Sequence, residues 1–188
     1  MSDQPRPPDR EPRFTSLFHA TYADLLRFVQ RRVQPAVAED VVAESFLVAW
    51  RRLDELPQQP NDARAWLFGI GRGVILNAHR GAQRQQALAV RLAAVSATAE
   101  DGLDADLVAR QIDVSRAWRR LSDRHQEALA LAVLDGLSAP QAAAVLGVSP
   151  VAFRLRLSRA RRALRLHLDH LPQSPSTSAG TTERTRSR

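Results

Sequence analysis

Six arginines, Arg154, Arg156, Arg159, Arg161, Arg162 and Arg165, fall within one short stretch that holds no acid. A guanidinium fork donates in pairs to phosphate oxygens and to the O6/N7 edge of guanine, so such a cluster reads as a nucleic-acid surface. Other chemistries find less support. His19, His79, His125, His167 and His170 are scattered, and His167 and His170, three apart, have no further ligand cluster beside them. Gly69-Ile70-Gly71-Arg72-Gly73 has neither the preceding strand nor the spacing of a nucleotide loop. No nucleophile has a visible base, and clustered carboxylates for metal-assisted phosphodiester cleavage are missing. The chain has no cysteine, which excludes disulfides and thiolate zinc sites. The expectation is a binding protein without cofactor or metal, not an enzyme.

The arginines need a scaffold, and Leu137 to Arg165 supplies its pattern. A short helix from Gln141 to Leu146, a turn at Gly147-Val148-Ser149 and a second helix from Pro150 to Leu168 make a helix-turn-helix. Pro150 sits in the first turn, where its missing N–H does no harm. Phe153, Leu157, Ala160 and Leu164 form an apolar stripe for docking. Arg154, Ser158, Arg161 and Arg165 run beside it, with Arg156 and Arg159 on the other flank. Val151, Ala152, Arg154 and Leu155, nearest the helix start, are placed to reach deepest into a major groove, and the later arginines to hold the backbone. A solvated basic helix is the plainer reading of the same residues.

Charge is distributed unevenly. All 27 basic residues are arginine, against 20 acids, for a net charge of +7. Met1 to Arg80 carries eleven arginines and ten acids, and Asp113 to Leu171 carries ten against five, so the basic excess lies on the helix-turn-helix half. Hydrophobic residues make up 44% and aromatic residues 5%, a balance suited to small helical bundles. No apolar run is long enough for a membrane span, and the proline-rich polar start is unlike a secretory signal. A soluble, cytoplasmic, all-α protein of two small helical domains is expected.

Residues 1–13 read as disordered. Phe14, Leu17, Phe18, Tyr22, Leu25, Leu26 and Val29 set a helical period that Pro35 breaks. A second helix spans about Val37 to Leu53, with Glu39, Asp40 and Glu44 near its positive end. A third runs from about Ala63 to His79 and carries Gly69, Gly71 and Gly73, each costing roughly 1 kcal/mol of propensity against alanine. Residues 14–84 therefore form one domain. Residues 85–112, with an acidic patch from Glu100 to Asp106, read as a flexible linker. A four-helix unit fills residues 113–171; in it, Ser122 caps a helix that places Leu129, Leu131 and Val133 behind it and ends at Asp135-Gly136. Residues 172–188 read as a disordered tail.

Two motifs in order carry a resemblance. Glu39-Asp40, Glu44, Phe46-Leu47-Val48-Ala49-Trp50, then Trp66-Leu67 and Arg72 with Arg80, followed by LSDRHQEALALAVLDGLSAPQAAAVLGVSPVAFRLRLSRARRALR, resemble the two-domain extracytoplasmic-function group of sigma-70 RNA polymerase sigma factors. The resemblance implies a transcription initiation factor that binds core RNA polymerase, through the β′ coiled-coil and β, and promoter DNA, with an anti-sigma factor as regulator. It implies a polymerase-binding set of Asp40, Glu44, Phe46, Leu47 and Trp50. Asn61, Trp66, Arg72, Asn77 and Arg80 would meet the melted −10 strand. Val151, Ala152, Arg154, Leu155, Arg156, Ser158, Arg159 and Arg161 would read the −35 element. Phe46, Trp50 and Trp66 fit core packing equally well.

The chain also departs from that pattern. Gly71-Arg72-Gly73 replaces Ala-Arg-Asn, which removes an amide that could touch a −10 base, and Gly81-Ala82-Gln83 thins the basic end of the third helix. Gln141-Ala142-Ala143 replaces Glu-Ile-Ala, and Ala152 stands where threonine is common. From the residues alone, a free-standing helix-turn-helix regulator and a helical adaptor for an acidic protein remain open.

Overall fold

The computed structural model describes residues 10–82 and 105–170, with side chains over 10–78 and 110–170. Seven α-helices and no strand occur among these residues: α1 (Arg10–Gln30), α2 (Pro35–Arg51), α3 (Pro60–Ala82), α4 (Ala105–Arg119), α5 (Asp123–Leu129), α6 (Ala139–Leu146) and α7 (Pro150–Asp169). None of them is long and apolar enough to cross a membrane.

Helices α1 to α3 pack mutually into an N-terminal module. Leu17, Leu25, Phe28 and Val29 of α1 meet Val41, Val42, Phe46 and Ala49 of α2 and Leu67, Phe68 and Ile75 of α3. Buried hydroxyls are satisfied locally: Thr21 Oγ1 donates to Leu17 O and Ser45 Oγ to Val41 O, both at 2.6 Å. Gly71 allows close approach at the centre, since a Cβ there would lie 3.0 Å from Leu25 Cδ1 and 3.6 Å from Ser45 Oγ. A Cβ on Gly73 would meet open space.

In the C-terminal module, α7 packs on α4, α5 and α6. Gln126 ties α5 to α4 by donating from Nε2 to Trp118 O and Leu121 O, each at 3.1 Å. Beyond α5 the chain opens into a π-helical turn over Ala130–Leu134.

Several sequence expectations shift. Helix α1 begins at Arg10, so Arg10 to Arg13 are helical: Arg10 Nη2 donates to Trp50 O at 2.8 Å and Nη1 pairs with Asp54 at 3.1 Å. Pro35 starts α2 instead of merely breaking a pattern, and Leu53 leaves that helix for a 3-10 turn. Helix α3 starts at Pro60, and α6 at Ala139. The last part of the expected linker, residues 105–112, belongs to α4. The π turn rotates Val133 outward, to 64% exposure, while Leu131 stays buried. The expectations for residues 1–9, 83–104 and 171–188 lie outside the described residues.

The two helical modules expected from the sequence are packed against each other. One continuous apolar core joins Phe68 and Val74 of the first module to Ala128, Leu131, Ala142, Ala143, Val145 and Phe153 of the second. Helix α6 lies along α3, with the Gly69 face of α3 against the Val145 backbone.

Candidate nucleic-acid interface

The helix-turn-helix is built by local chemistry. Gln141 Oε1 accepts from Ser138 N at 3.0 Å and closes the start of α6. Gly147 ends α6 in the left-handed region, φ 65°, which glycine enters without the Cβ penalty. Ser149 Oγ then accepts from Ala152 N at 3.1 Å and caps α7 ahead of Pro150. This cap occupies the Ala152 amide.

Phe153 and Ala160 are buried, with Leu157 and Leu164 partly so, as the stripe predicts. The opposite face is open. Val151 is 70% exposed and Leu155 52%; Ala152, Arg154, Ser158, Arg159, Arg161, Arg162 and Arg165 are also exposed, and Arg156 is half-buried. None of these six arginines makes an ion pair among the described residues. Two apolar side chains amid free guanidiniums can meet thymine methyls, guanine edges and phosphates.

The candidate polymerase surface is smaller than expected. Asp40, Glu44 and Leu47 share an exposed face of α2, with Leu47 at 58% exposure. Phe46 is 5% exposed and sits in an aromatic cluster with Phe14, Phe18 and Tyr22, so it packs beneath that face instead of standing on it. Trp50 is half-buried, edge-on to Phe14 at 5.1 Å and beneath the Arg10 guanidinium at 5.4 Å.

The α3 candidates are not gathered on one open face. Asn61 and Asn77 are exposed, near opposite ends of the helix. The Arg80 side chain lies outside the described residues. Trp66 and Arg72 border a cavity of about 570 Å³ between α3 and α6, together with Arg52, Asp62, Gln141 and Val145. The indole Nε1 of Trp66 is buried and unpartnered among the described residues.

Across this joint runs a set of polar contacts that reading by segments missed. Arg72 presents its fork to Glu127, Nε donating to Oε1 at 2.7 Å and Nη2 to Oε2 at 3.4 Å. Gln141 Nε2 donates to Asp62 Oδ1 at 2.9 Å. Asp135, fully buried, accepts from Arg31 through Oδ1 and from Arg32 Nη2 through Oδ2, the latter at 2.9 Å. Burial pushes the Arg32 guanidinium below its ordinary value, against the pull of Asp135 and Glu127. The adjacent Arg31-Arg32 before a proline was a faint signal, and Asp135-Gly136 looked like a simple helix end.

No group of three or more His, Cys, Asp or Glu side chains that could hold a metal occurs among the described residues. His170 Nδ1 lies 2.6 Å from Leu166 O, a contact local to the helix end.

Comparison with known proteins follows the same division. The family description Sigma-70 region 2 matches residues 17–85, and Sigma-70, region 4 matches residues 108–164. RNA polymerase sigma factor CnrH of Cupriavidus metallidurans is 35% identical over 141 residues, 70% of this chain and 73% of that protein. ECF RNA polymerase sigma factor SigL of Mycobacterium tuberculosis is 31% identical over 159 residues, 83% and 89% respectively. Among solved structures, CnrH in complex with the cytosolic domain of CnrY has a TM-score of 0.56 at 26% identity, covering 83% of this chain and 87% of that one. Sigma factor RpoE in complex with the anti-sigma factor NepR from Bartonella quintana gives 0.56 at 26% identity, covering 83% and 96%.

Proposed function

The chain belongs to the extracytoplasmic-function group of the sigma-70 family of RNA polymerase sigma factors, and on that premise we propose how its surfaces divide the work of promoter selection. The single observation that carries the reading is the α7 face. Its six arginines are free of ion pairs among the described residues and flank the exposed Val151 and Leu155, on a helix held firmly by Phe153 and Ala160. That face enters the major groove of the −35 element, with Arg154 and Arg156 on base edges and Arg159 and Arg161 on phosphates. Asp40, Glu44 and Leu47 form the polymerase contact, acidic and apolar side by side. Asn61, Trp66, Arg72, Asn77 and Arg80 hold the −10 strand by stacking and charge, as single strands are generally held.

The chain works in the bacterial cytoplasm beside its polymerase, which performs the chemistry; this chain supplies address and strand capture. An anti-sigma factor is its regulator, in keeping with the complex of RpoE with the anti-sigma factor NepR among its structural relatives. A free-standing regulator would bind its duplex site alone, whereas this reading places specific promoter binding with the holoenzyme. Run-off transcription with purified core enzyme on genomic fragments tests it. Defined start sites that need both chain and core are expected; absence of any complex with core would overturn the reading.

A further inference from the structure

We infer that Arg31, Arg32 and Arg72 form a phosphate-binding site for single-stranded DNA, which Asp135 and Glu127 of the C-terminal module fill while the modules are docked. This rests on the reading of α3 as the −10 surface and extends that surface to the end of α1.

Arg32 is held by its own module. Arg32 Nη1 donates to Phe28 O at 2.8 Å, and the guanidinium lies 3.6 Å over the Phe28 ring, itself stacked on Phe68 at 4.5 Å. Arg32 therefore keeps its place whether or not the other module is present. Arg72 follows Gly71, where a Cβ would lie 3.8 Å from the Phe28 ring that Arg32 covers, so the three cations border one region of the joint.

The carboxylate filling this patch is an incomplete match. Asp135 spends one oxygen on each of Arg31 and Arg32, and the Nε groups of both arginines are buried without an acceptor among the described residues. Guanidinium forks are used fully by bidentate oxyanions, and a phosphate, with more acceptor oxygens than a carboxylate, can serve two forks at once. Arg72 also borders a cavity with Trp66 and Arg52, which brings into one lining the residue types of a single-strand platform.

The docked arrangement cannot itself be the promoter-bound one. The −10 and −35 elements lie about 25 base pairs apart, roughly 85 Å at 3.4 Å per pair. A compact body of this size has a radius of gyration of about 14 Å. Reading both elements requires the modules to part, which strips three cations of their carboxylates beside the strand. Like charges so close need an anion, and the DNA backbone supplies it.

The test uses the full chain and a fluorescein-labelled 15-nucleotide single strand of mixed sequence, followed by anisotropy across a salt series. Asp135→Asn/Glu127→Gln should bind at least tenfold more tightly than the wild type. Adding Arg31→Gln/Arg32→Gln should abolish the gain and reduce the salt slope by about 1.4, two phosphates at roughly 0.7 each. Arg31→Lys/Arg32→Lys in the same background should recover part of it. If the double glutamine variant fails to fold by circular dichroism, Arg31→Gln alone should reduce the slope by about 0.7. The α7 arginines are unchanged in every arm and set a constant background.

No gain on removing the carboxylates overturns the inference, as does a gain that survives loss of the arginines. Displacement of the oligonucleotide by millimolar inorganic phosphate at matched ionic strength would assign the site to a free anion instead. Loss of core binding with unchanged oligonucleotide binding would assign the arginines to polymerase. Wild-type holoenzyme that initiates normally while these arms fail removes this inference alone and leaves the sigma-factor reading standing.

Discussion

Arg31 and Arg32 on α1 and Arg154, Arg159 and Arg161 on α7 have the same side chain in opposite surroundings. The first pair is shared by one buried carboxylate from the other module, and Arg32 has no exposed side-chain surface. The α7 set stands in solvent without ion pairs among the described residues. A buried guanidinium has lost its hydration and depends on its partner, whereas an exposed one is solvated and available. Residue type therefore says little about role here; what matters is whether an anion is already in place.

The largest expected effect breaks the buried side of that contrast. Asp135→Ala leaves two desolvated cations facing each other, a penalty of about 3 kcal/mol in the docked state, which the chain escapes by undocking. Amide hydrogen exchange along α6 should then rise by about a hundredfold. Exchange unchanged within a factor of three would mean that Asp135 does not hold the joint. By contrast, Arg159→Ala and Arg161→Ala should alter unfolding free energy by less than about 0.5 kcal/mol, as read by urea denaturation.

On the exposed side, each bidentate base contact is worth about 1–3 kcal/mol of discrimination. Arg154→Ala/Arg156→Ala should cut start-site selection by ten- to a hundredfold in run-off assays while core binding stays intact. Equal loss of both activities would contradict the division between α2 and α7.

A smaller difference separates two glycines of α3. Gly73→Ala should raise stability by up to about 1 kcal/mol, because the helix gains propensity and the new Cβ meets open space. Gly71→Ala should gain less, since Leu25 Cδ1 must yield at 3.0 Å. Paired thermal melts distinguish them.

The smallest effect concerns Asp24. Partial burial pushes its carboxyl up, but hydrogen bonds from Arg27 and Arg64 outweigh that and hold it below the ordinary 3.8. A carboxyl lowered in the folded state gives stability that is present above its unfolded value and lost as pH falls through the folded one. Wild type should therefore lose stability slightly more steeply than Asp24→Asn below about pH 4, in melts across an acid series. An identical acid limb would show that the pair contributes nothing.

Local signals gave a sound account of local structure. Gly147, Ser149, Pro150 and the stripe Phe153-Leu157-Ala160-Leu164 specify turn, cap and buried face within a few residues of each other, and the structure follows them. Phe46 was ambiguous because an aromatic on a helix face packs inward or contacts a partner with the same spacing; here Phe14 and Phe18 cover it. The start of α4 was hidden because an acidic stretch without apolar period reads as a connector. The joint was illegible for a different reason. Asp135 meets Arg31 and Arg32 from more than a hundred residues away, and such pairing leaves no period in the chain.

Helix α6 is eight residues long, yet it packs against α3 on one side and α7 on the other, with Ala142, Ala143 and Val145 buried. Pro140 and Ala144 form its one exposed side, and a substitution at any of the three buried positions is felt by α7 and by α3 together. Variation that leaves the packing undisturbed is thereby confined to the outward positions of α7. An evolving lineage could exchange those one at a time, while α6 would change only in concert with α3.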